Sequence, residues 1–200
     1  LLDGMTVTPV RADSTCVDAG AATAAAERLV TAEGVKGIMG ADCSGVTGAI
    51  LSNVAVPNGM VMISPSATSP GLSTADDNGL IFRTAPSDAR QAEVAALAAA
   101  GGDRRVVAGY VDQGGSGIVR AALDSGAFDS FHFPDGMSGE ALEANFGSEI
   151  DGSTGQHPGT DSEGAAMFEG MANGFDGTSP FSKESYDAAA LIMLAMQAAG

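Results

Sequence analysis

Short apolar runs bounded by turn residues alternate along this chain with longer segments whose apolar positions recur every three or four residues. Residues 5–10 (MTVTPV) alternate and read as a strand. Residues 16–32 predict an alanine-rich helix with Ala22, Ala25, Ala26, Leu29 and Val30 on one face. Residues 36–39 read as a short buried strand. Ser44 opens a second helix that is expected to end before Pro57, with Asn58-Gly59 as a turn. Residues 60–64 (MVMIS) predict another buried strand, 65–73 a loop rich in Ser, Thr, Pro and Gly, and 81–84 a short strand. A helix follows from Asp88 to Ala100, stopped by Gly101-Gly102.

The second half repeats the theme. Strands are expected at 105–110, 128–133 and 148–154, and helices at 116–124, 140–146 and from about 161 to 172. A last helix spans 183–199, with Tyr186, Ala190, Met193, Leu194 and Gln197 on one side. Buried strands alternating with helices imply an α/β fold with parallel sheets. In such sheets ligands bind beyond the carboxyl ends of the strands, so the strand-to-helix loops carry the candidate chemistry.

Charge narrows the choice of partner. Nine Lys and Arg stand against 25 Asp and Glu, for a net charge of −16 and a pI near 4.1. A nucleic-acid binder needs a basic footprint to release counterions. Here the adjacent cations are Arg104 and Arg105 alone. So acidic a surface repels phosphate backbones and anionic lipid, and fits a solvated coat of the kind found in salt-tolerant proteins. No apolar run has the length of a membrane span; residues 188–199 come nearest and are broken by Gln197. The chain opens on Leu1 and shows no basic-then-apolar signal segment, as expected of a processed product or a fragment. With 5% aromatic residues, a core must be built from Ala, Val, Leu, Ile and Met.

Cys16 and Cys43 form no CxxC and have no His or Cys pair nearby to complete a zinc site. Two free buried thiols or one disulfide in an oxidising compartment both fit.

Four loops hold the polar residues. Residues 40–45 (GADCSG) place the Ser44 hydroxyl at a helix start, where backbone N–H groups point outward and suit an anion. Residues 63–70 (ISPSATSP) gather hydroxyls and amides, including those of Ser66, Ala67 and Thr68, which suits a small carboxylate bound by neutral donors. In residues 109–115 (GYVDQGG), Tyr110 ends a strand and is placed to cover a ligand or face its cation. In residues 133–137 (FPDGM), Asp135 ends another strand and could pair with an ammonium. Each loop also has a purely structural reading: a helix cap, a Ser/Pro loop, a core tyrosine and an Asp-Gly turn.

Catalytic signatures are missing. There is no G-x-S-x-G elbow, no H-E-x-x-H, no G-x-G-x-x-G and no G-K-[ST]. His132 lies between two phenylalanines and His157 in a Gly/Pro loop, so a triad is not expected. Asp151, His157, Asp161 and Glu163 match no metal-ligand spacing, and neither a metal nor a cofactor is expected.

Taken in order, GIMGADCSGVTGA, GMVMISPSATSPGLS, IFRTAPSDARQ, VVAGYVDQGG, FPDGM and ESYDAAALIMLAMQAAG resemble the periplasmic leucine/isoleucine/valine-binding protein family. These are type 1 substrate-binding proteins of amino-acid ABC transporters, related to receptor ligand-binding regions. The resemblance implies a periplasmic-binding-protein type 1 fold of two Rossmann-like lobes closing over a ligand. The expected boundaries are 1–88 for the first lobe, 89–179 for the second, and 180–200 for a helix returning toward the first. It implies that Ser44 meets a ligand carboxylate, and that Ala67 and Thr68, with Ser66 beside them, hold carboxylate and ammonium. It implies a cleft aromatic at Tyr110, an acid facing the ammonium at Asp135, and a Cys16–Cys43 disulfide in a periplasmic setting. Against the family pattern the chain is expected to lack the initial strand and helix, a βαβ-sized block after residue 100, and the closing strands.

The function this implies is extracytoplasmic solute binding without chemistry, with a membrane ABC permease as partner and an amino acid or related carboxylate or amide as ligand. A sensory ligand-binding module is the alternative. A small-molecule hydrolase is a more distant one, because it lacks a nucleophile–base pair.

Overall fold

The computed structural model describes residues 4, 6–99, 105–107, 109–128, 130–159 and 161–199. Met5, the helix stop at Ala100–Gly102, Arg104, Ala108 and Asp129, all part of the sequence expectations, lie outside the described residues. The chain forms two compact units, one made of Leu1–Ser87 with Gly159–Gly200, the other of Asp88–Pro158.

In the first unit, α1 (Ala19–Thr31) is capped by Asp18, whose side chain accepts from the Ala21 amide. Strand β1 (Ile38–Met39) leads to α2 (Ser44–Ile50), which continues through a π-turn (Leu51–Ala55) into α3 (Val56–Asn58). The helix therefore runs past Pro57, expected to terminate it. Only at Gly59, with φ 63°, does the backbone turn left-handed and end it. Strands β2 (Met62–Ser64) and β3 (Ile81–Arg83) complete a parallel sheet of order β1-β2-β3. Residues 6–10 form no strand; they are largely exposed, and Pro9 has no N–H to give a ladder.

The core of this unit is Ala22 and Ala26 of α1, Val46 and Ile50 of α2, Leu51 and Val54 of the π-turn, and Ile38 and Met62 of the sheet. The expected face of α1 is the one that packs. Alanine at 22 and 26 keeps that helix close to α2. Cys16 and Cys43 are joined in a disulfide with a Cα separation of 5.2 Å, tying the entry of α1 to the start of α2.

The second unit holds α4 (Asp88–Ala99), β4 (Arg105–Val106), a π-turn (Val111–Gly115), α5 (Ser116–Asp124), β5 (Phe131–Phe133), α6 (Glu140–Phe146) and β6 (Thr154–Gly155). Its sheet is also parallel, in order β4-β5-β6. Residues 148–150, expected at the start of a strand, belong instead to a 3-10 turn (Gly147–Ile150), and pairing begins at Thr154. Buried Phe131, Phe133, Val119, Met137, Leu142 and Phe146 make a separate core.

Helices α7 (Glu163–Met171) and α8 (Ser182–Ala199) belong to the first unit. The chain thus rejoins that unit near Gly159, earlier than the break expected at 179. The reason is side-chain contact: Phe168 of α7 lies 5.3 Å, centroid to centroid, from Tyr186 of α8, and Glu169 pairs with Lys183 at 2.7 Å. On α8 the buried residue is Ala188, and Ile192 covers Gly37 before β1. Tyr186 and Leu194, which share one side of α8, are about half exposed, at 48% and 44%. Among the described residues no helix is long and apolar enough to cross a membrane.

Candidate functional site

In the first unit, parallel pairing puts the ends of β1, β2 and β3 on one sheet edge, where residues 40–44, 65–69 and Arg83 emerge. Ser64, the last residue of β2, is fully buried and acts as a junction. Its hydroxyl donates to the Ala41 carbonyl at 2.6 Å and accepts from the Ala67 amide at 2.9 Å. The chain is thereby turned back on itself directly after the strand, and the loop after β1 is tied to the loop after β2.

Ser44 is not the helix cap. Cys43 holds the N-cap position and Ser44 is the first helical residue. Its Oγ accepts from the Ser69 amide at 3.0 Å. That bond uses a lone pair and leaves the hydroxyl hydrogen to donate elsewhere. Ser66 is engaged differently. Its Oγ lies 2.5 Å from Asp42 Oδ1 and 3.0 Å from the Asp42 carbonyl, so its single proton goes to the chain itself. Ala67 is buried, its amide taken by Ser64.

Arg83 closes the arrangement. Its Nη1 donates to the Ala67 carbonyl at 3.2 Å and to the Ser69 carbonyl at 2.9 Å, and its Nη2 donates to the Ser73 hydroxyl. Four bonds therefore fix the residues on either side of Thr68. Thr68 itself is half-buried, and among the described residues neither its amide nor its hydroxyl has a hydrogen-bond partner. Among the described residues, the Ser44 hydroxyl, the Thr68 amide and the Thr68 hydroxyl stand at this edge as neutral donors. They suit an anion small enough to be met by two or three bonds.

In the second unit, Tyr110 follows β4 and Asp135 follows β5, again on the carboxyl edge of a parallel sheet. Two glycines bring their loops together. A Cβ on Gly136 would lie 2.4 Å from the Gly109 carbonyl and 3.3 Å from the Tyr110 ring. A Cβ on Gly115 would lie 2.2 Å from the Met137 sulfur. Tyr110 is 53% exposed. The Asp135 carboxylate accepts from Gln91 Nε2 through Oδ1.

Behind Asp135 runs a polar chain. Gln156 Nε2 donates to the Gln91 carbonyl at 2.9 Å, Gln156 Oε1 meets His132 Nε2 at 3.2 Å, and His132 Nδ1 meets Thr154 Oγ1 at 2.9 Å. Both ring nitrogens of the buried histidine are thus satisfied, and the ring is held as structure.

Sequence reasoning singled out Ser44, Ser66, Ala67, Thr68, Tyr110 and Asp135. The structure groups the first four at one sheet edge and the last two at the other unit's edge. Ser64, Asp42, Arg83 and Gln91 were missed. A buried serine ending an apolar strand and a lone arginine beside a run of hydroxyls were the available signals. Cys16, Asp42 and Cys43 put ligand-type atoms within 4.8 Å of one another, but the two sulfurs are bonded to each other and only a carboxylate is left.

A separate groove of about 1040 Å³ lies within the first unit, lined by Leu29, Ile38, Ile192, Met193 and Met196 and by the extended residues 7–14. It touches Asp42 and Ser66 but neither Ser44 nor Thr68.

Residues 1–99 match the family described as the receptor family ligand binding region. No curated protein matches the chain. Among solved structures, an ABC transporter substrate-binding protein from Desulfitobacterium hafniense in complex with Leu is similar. It is 19% identical with a TM-score of 0.73, and the match covers 98% of this chain and 74% of that one. The branched-chain amino acid transporter substrate-binding protein LivJ of Streptococcus pneumoniae, in complex with isoleucine, matches at 19% identity and a TM-score of 0.70, covering 97% and 73% of the two chains. A solute-binding protein from R. palustris in complex with benzoate matches at 17% identity and a TM-score of 0.66, covering 100% and 72%. The expected resemblance is thereby found. Residues 1–99 match the receptor ligand-binding region, and the chain has the α/β fold of type 1 periplasmic binding proteins, with parallel sheets.

Proposed function

We propose that this protein binds a small carboxylate, an α-amino acid in the first instance, as the extracytoplasmic solute-binding component of an ABC transporter, and delivers it to a membrane permease without chemical change. One observation carries the reading: the loop after β2 is pinned on both sides of Thr68 while, among the described residues, the Thr68 amide and hydroxyl stay unengaged. A site that spends its arginine on backbone carbonyls and offers neutral donors favours a carboxylate over a phosphate, which carries more charge to neutralise. The solved structures with this fold include complexes with Leu, isoleucine and benzoate, and a carboxylate is common to all three.

Asp135 is the proposed acceptor for the ligand ammonium, with Tyr110 beside it. A buried ammonium left unpaired would cost several kcal/mol, so an acid is required for an amino acid but not for a simple carboxylate. The disulfide supports an oxidising, extracytoplasmic setting. The match to a receptor ligand-binding region also fits a sensory module that uses the same residues.

Calorimetric titration with L-leucine, benzoate and 3-methylbutylamine, which is leucine without its carboxylate, tests the reading. Heat from one or both carboxylates and none from the amine is expected. Equal binding of the amine and leucine, or no binding of either carboxylate, would overturn it.

A further inference from the structure

Every group on the two neighbours of Thr68 that could distort the loop is tied down from within the first unit. The Ala67 amide is held by Ser64, the Ser69 amide by Ser44, and both carbonyls by one nitrogen of Arg83. Two N–H groups on a single planar guanidinium set the spacing between those carbonyls, which flank the Thr68 residue. With the loop facing an anion, two carbonyl dipoles would otherwise be free to turn toward the ligand and repel it. Arg83 keeps them directed at its own cation.

We propose that Arg83 is the positioning residue of this site. It touches no ligand itself, and acts by holding the Ala67 and Ser69 carbonyls away so that the Thr68 amide and hydroxyl face outward. The assignment rests on the reading of Thr68 as a carboxylate donor. It adds that the cation at the end of β3 is committed to the loop, so that the anion is recognised by neutral groups that the cation orients. Lysine takes over only part of the role, because its ammonium is not held in a guanidinium plane and has no second nitrogen to reach the Ser73 hydroxyl.

The experiment uses the 200-residue chain, with L-leucine as the probe. Wild type, Arg83→Met, Arg83→Lys, Thr68→Val and the Arg83→Met/Thr68→Val double variant are titrated by calorimetry. Amide hydrogen exchange is followed on the unliganded proteins. Arg83→Met and Thr68→Val should each weaken binding by about tenfold or more, with the double variant within about threefold of the weaker single, because both act through one contact. Exchange at the Ala67 and Ser69 amides should rise by about tenfold or more in Arg83→Met, and Arg83→Lys should restore only part of either property.

Leucine binding by Arg83→Met within about twofold of wild type, beside a strong loss in Thr68→Val, would overturn the positioning role and leave the carboxylate reading intact. Unchanged binding in Thr68→Val, or no binding by wild type, would overturn the carboxylate reading and the assignment with it. Should Arg83→Met not fold, Arg83→Lys decides by the same two readouts: weaker binding with faster exchange supports the role, and wild-type values for both overturn it.

Discussion

The loop after β2 in the first unit is held by side-chain hydrogen bonds to its backbone, whereas in the second unit close packing joins the loops after β4 and β5 beside their own turn bonds. Around Thr68, two serine hydroxyls and one guanidinium occupy the neighbouring backbone groups. Around Asp135, the fit depends on bare glycines at 115 and 136 and on the fully buried Met137. The difference follows the groups presented. Neutral backbone donors must have competing dipoles turned away, which takes directional bonds. A carboxylate carries its own charge and needs only to be placed, which packing accomplishes. One helper remains beside it, Gln91, bonded to Oδ1.

The largest effect expected of a change to either region is Met137→Ala. Removing this buried side chain should cost about 2–5 kcal/mol in denaturant unfolding, through lost burial and the cavity left between the two loops. If the shape account is right, Tyr110 and Asp135 lose their placement together. A cost below about 1 kcal/mol would mean the loops are held by something else.

Asp135→Ala tests the division of labour. Leucine binding should weaken by about 2–5 kcal/mol, while 4-methylpentanoate, which has no amine, should lose far less. Equal losses for the two ligands in calorimetry, or none, would overturn the role proposed for Asp135. Ser64→Ala probes the polar pins. Leaving the Ala67 amide without its partner, and the Ala41 carbonyl with only the 3.3 Å bond from the Thr47 hydroxyl, should cost about 1–3 kcal/mol, seen as a shifted unfolding midpoint. The same substitution should leave exchange protection in the second unit's sheet unchanged.

The smallest effect concerns Asp176, whose carboxylate receives the Thr178 hydroxyl and amide and the Ser179 hydroxyl ahead of α8. The bonds from Thr178 hold its pKa below the ordinary carboxylate value. Because the folded pKa is the lower one, the stabilisation is present above the unfolded value near 3.9 and is lost as pH falls through the folded value. Asp176→Asn should therefore lower the melting temperature slightly at neutral pH. The gap should close on acidification below about pH 4, and a gap that persists there would exclude the ionised form as its source.

Local order was legible in the sequence. The 3.6-residue spacing of Ala22, Ala26 and Leu29 gave α1, a methionine-rich run gave β2 and a phenylalanine-rich run gave β5, because periodicity and burial act on neighbouring residues. The alternation of the two element types led to parallel sheets, and with them to the rule that function lies in the loops at the carboxyl edge. That rule singles out the loops that carry Ser44, Thr68, Tyr110 and Asp135, and these loops do follow the carboxyl ends of parallel strands. Residues 6–10 show the limit. Their alternation is real, but a strand exists only where a neighbour supplies the ladder.

What the tertiary structure alone decided is which polar atoms are spent and which are left. Four hydroxyls and amides within residues 64–69 look equivalent as letters. Ser64 and Ser66 are consumed by Ala41 and Asp42, the Ser69 amide by Ser44, and the carbonyls beside Thr68 by an arginine that follows 14 to 16 positions later. No local pattern encodes those pairings. Each hydrogen bond joins residues separated by a strand or a helix, and its partner is set by the distance the sheet imposes between strand ends. Composition supplied the hydroxyls, and the packing of β1, β2 and β3 determined that, among the described residues, Thr68 keeps both its amide and its hydroxyl unengaged.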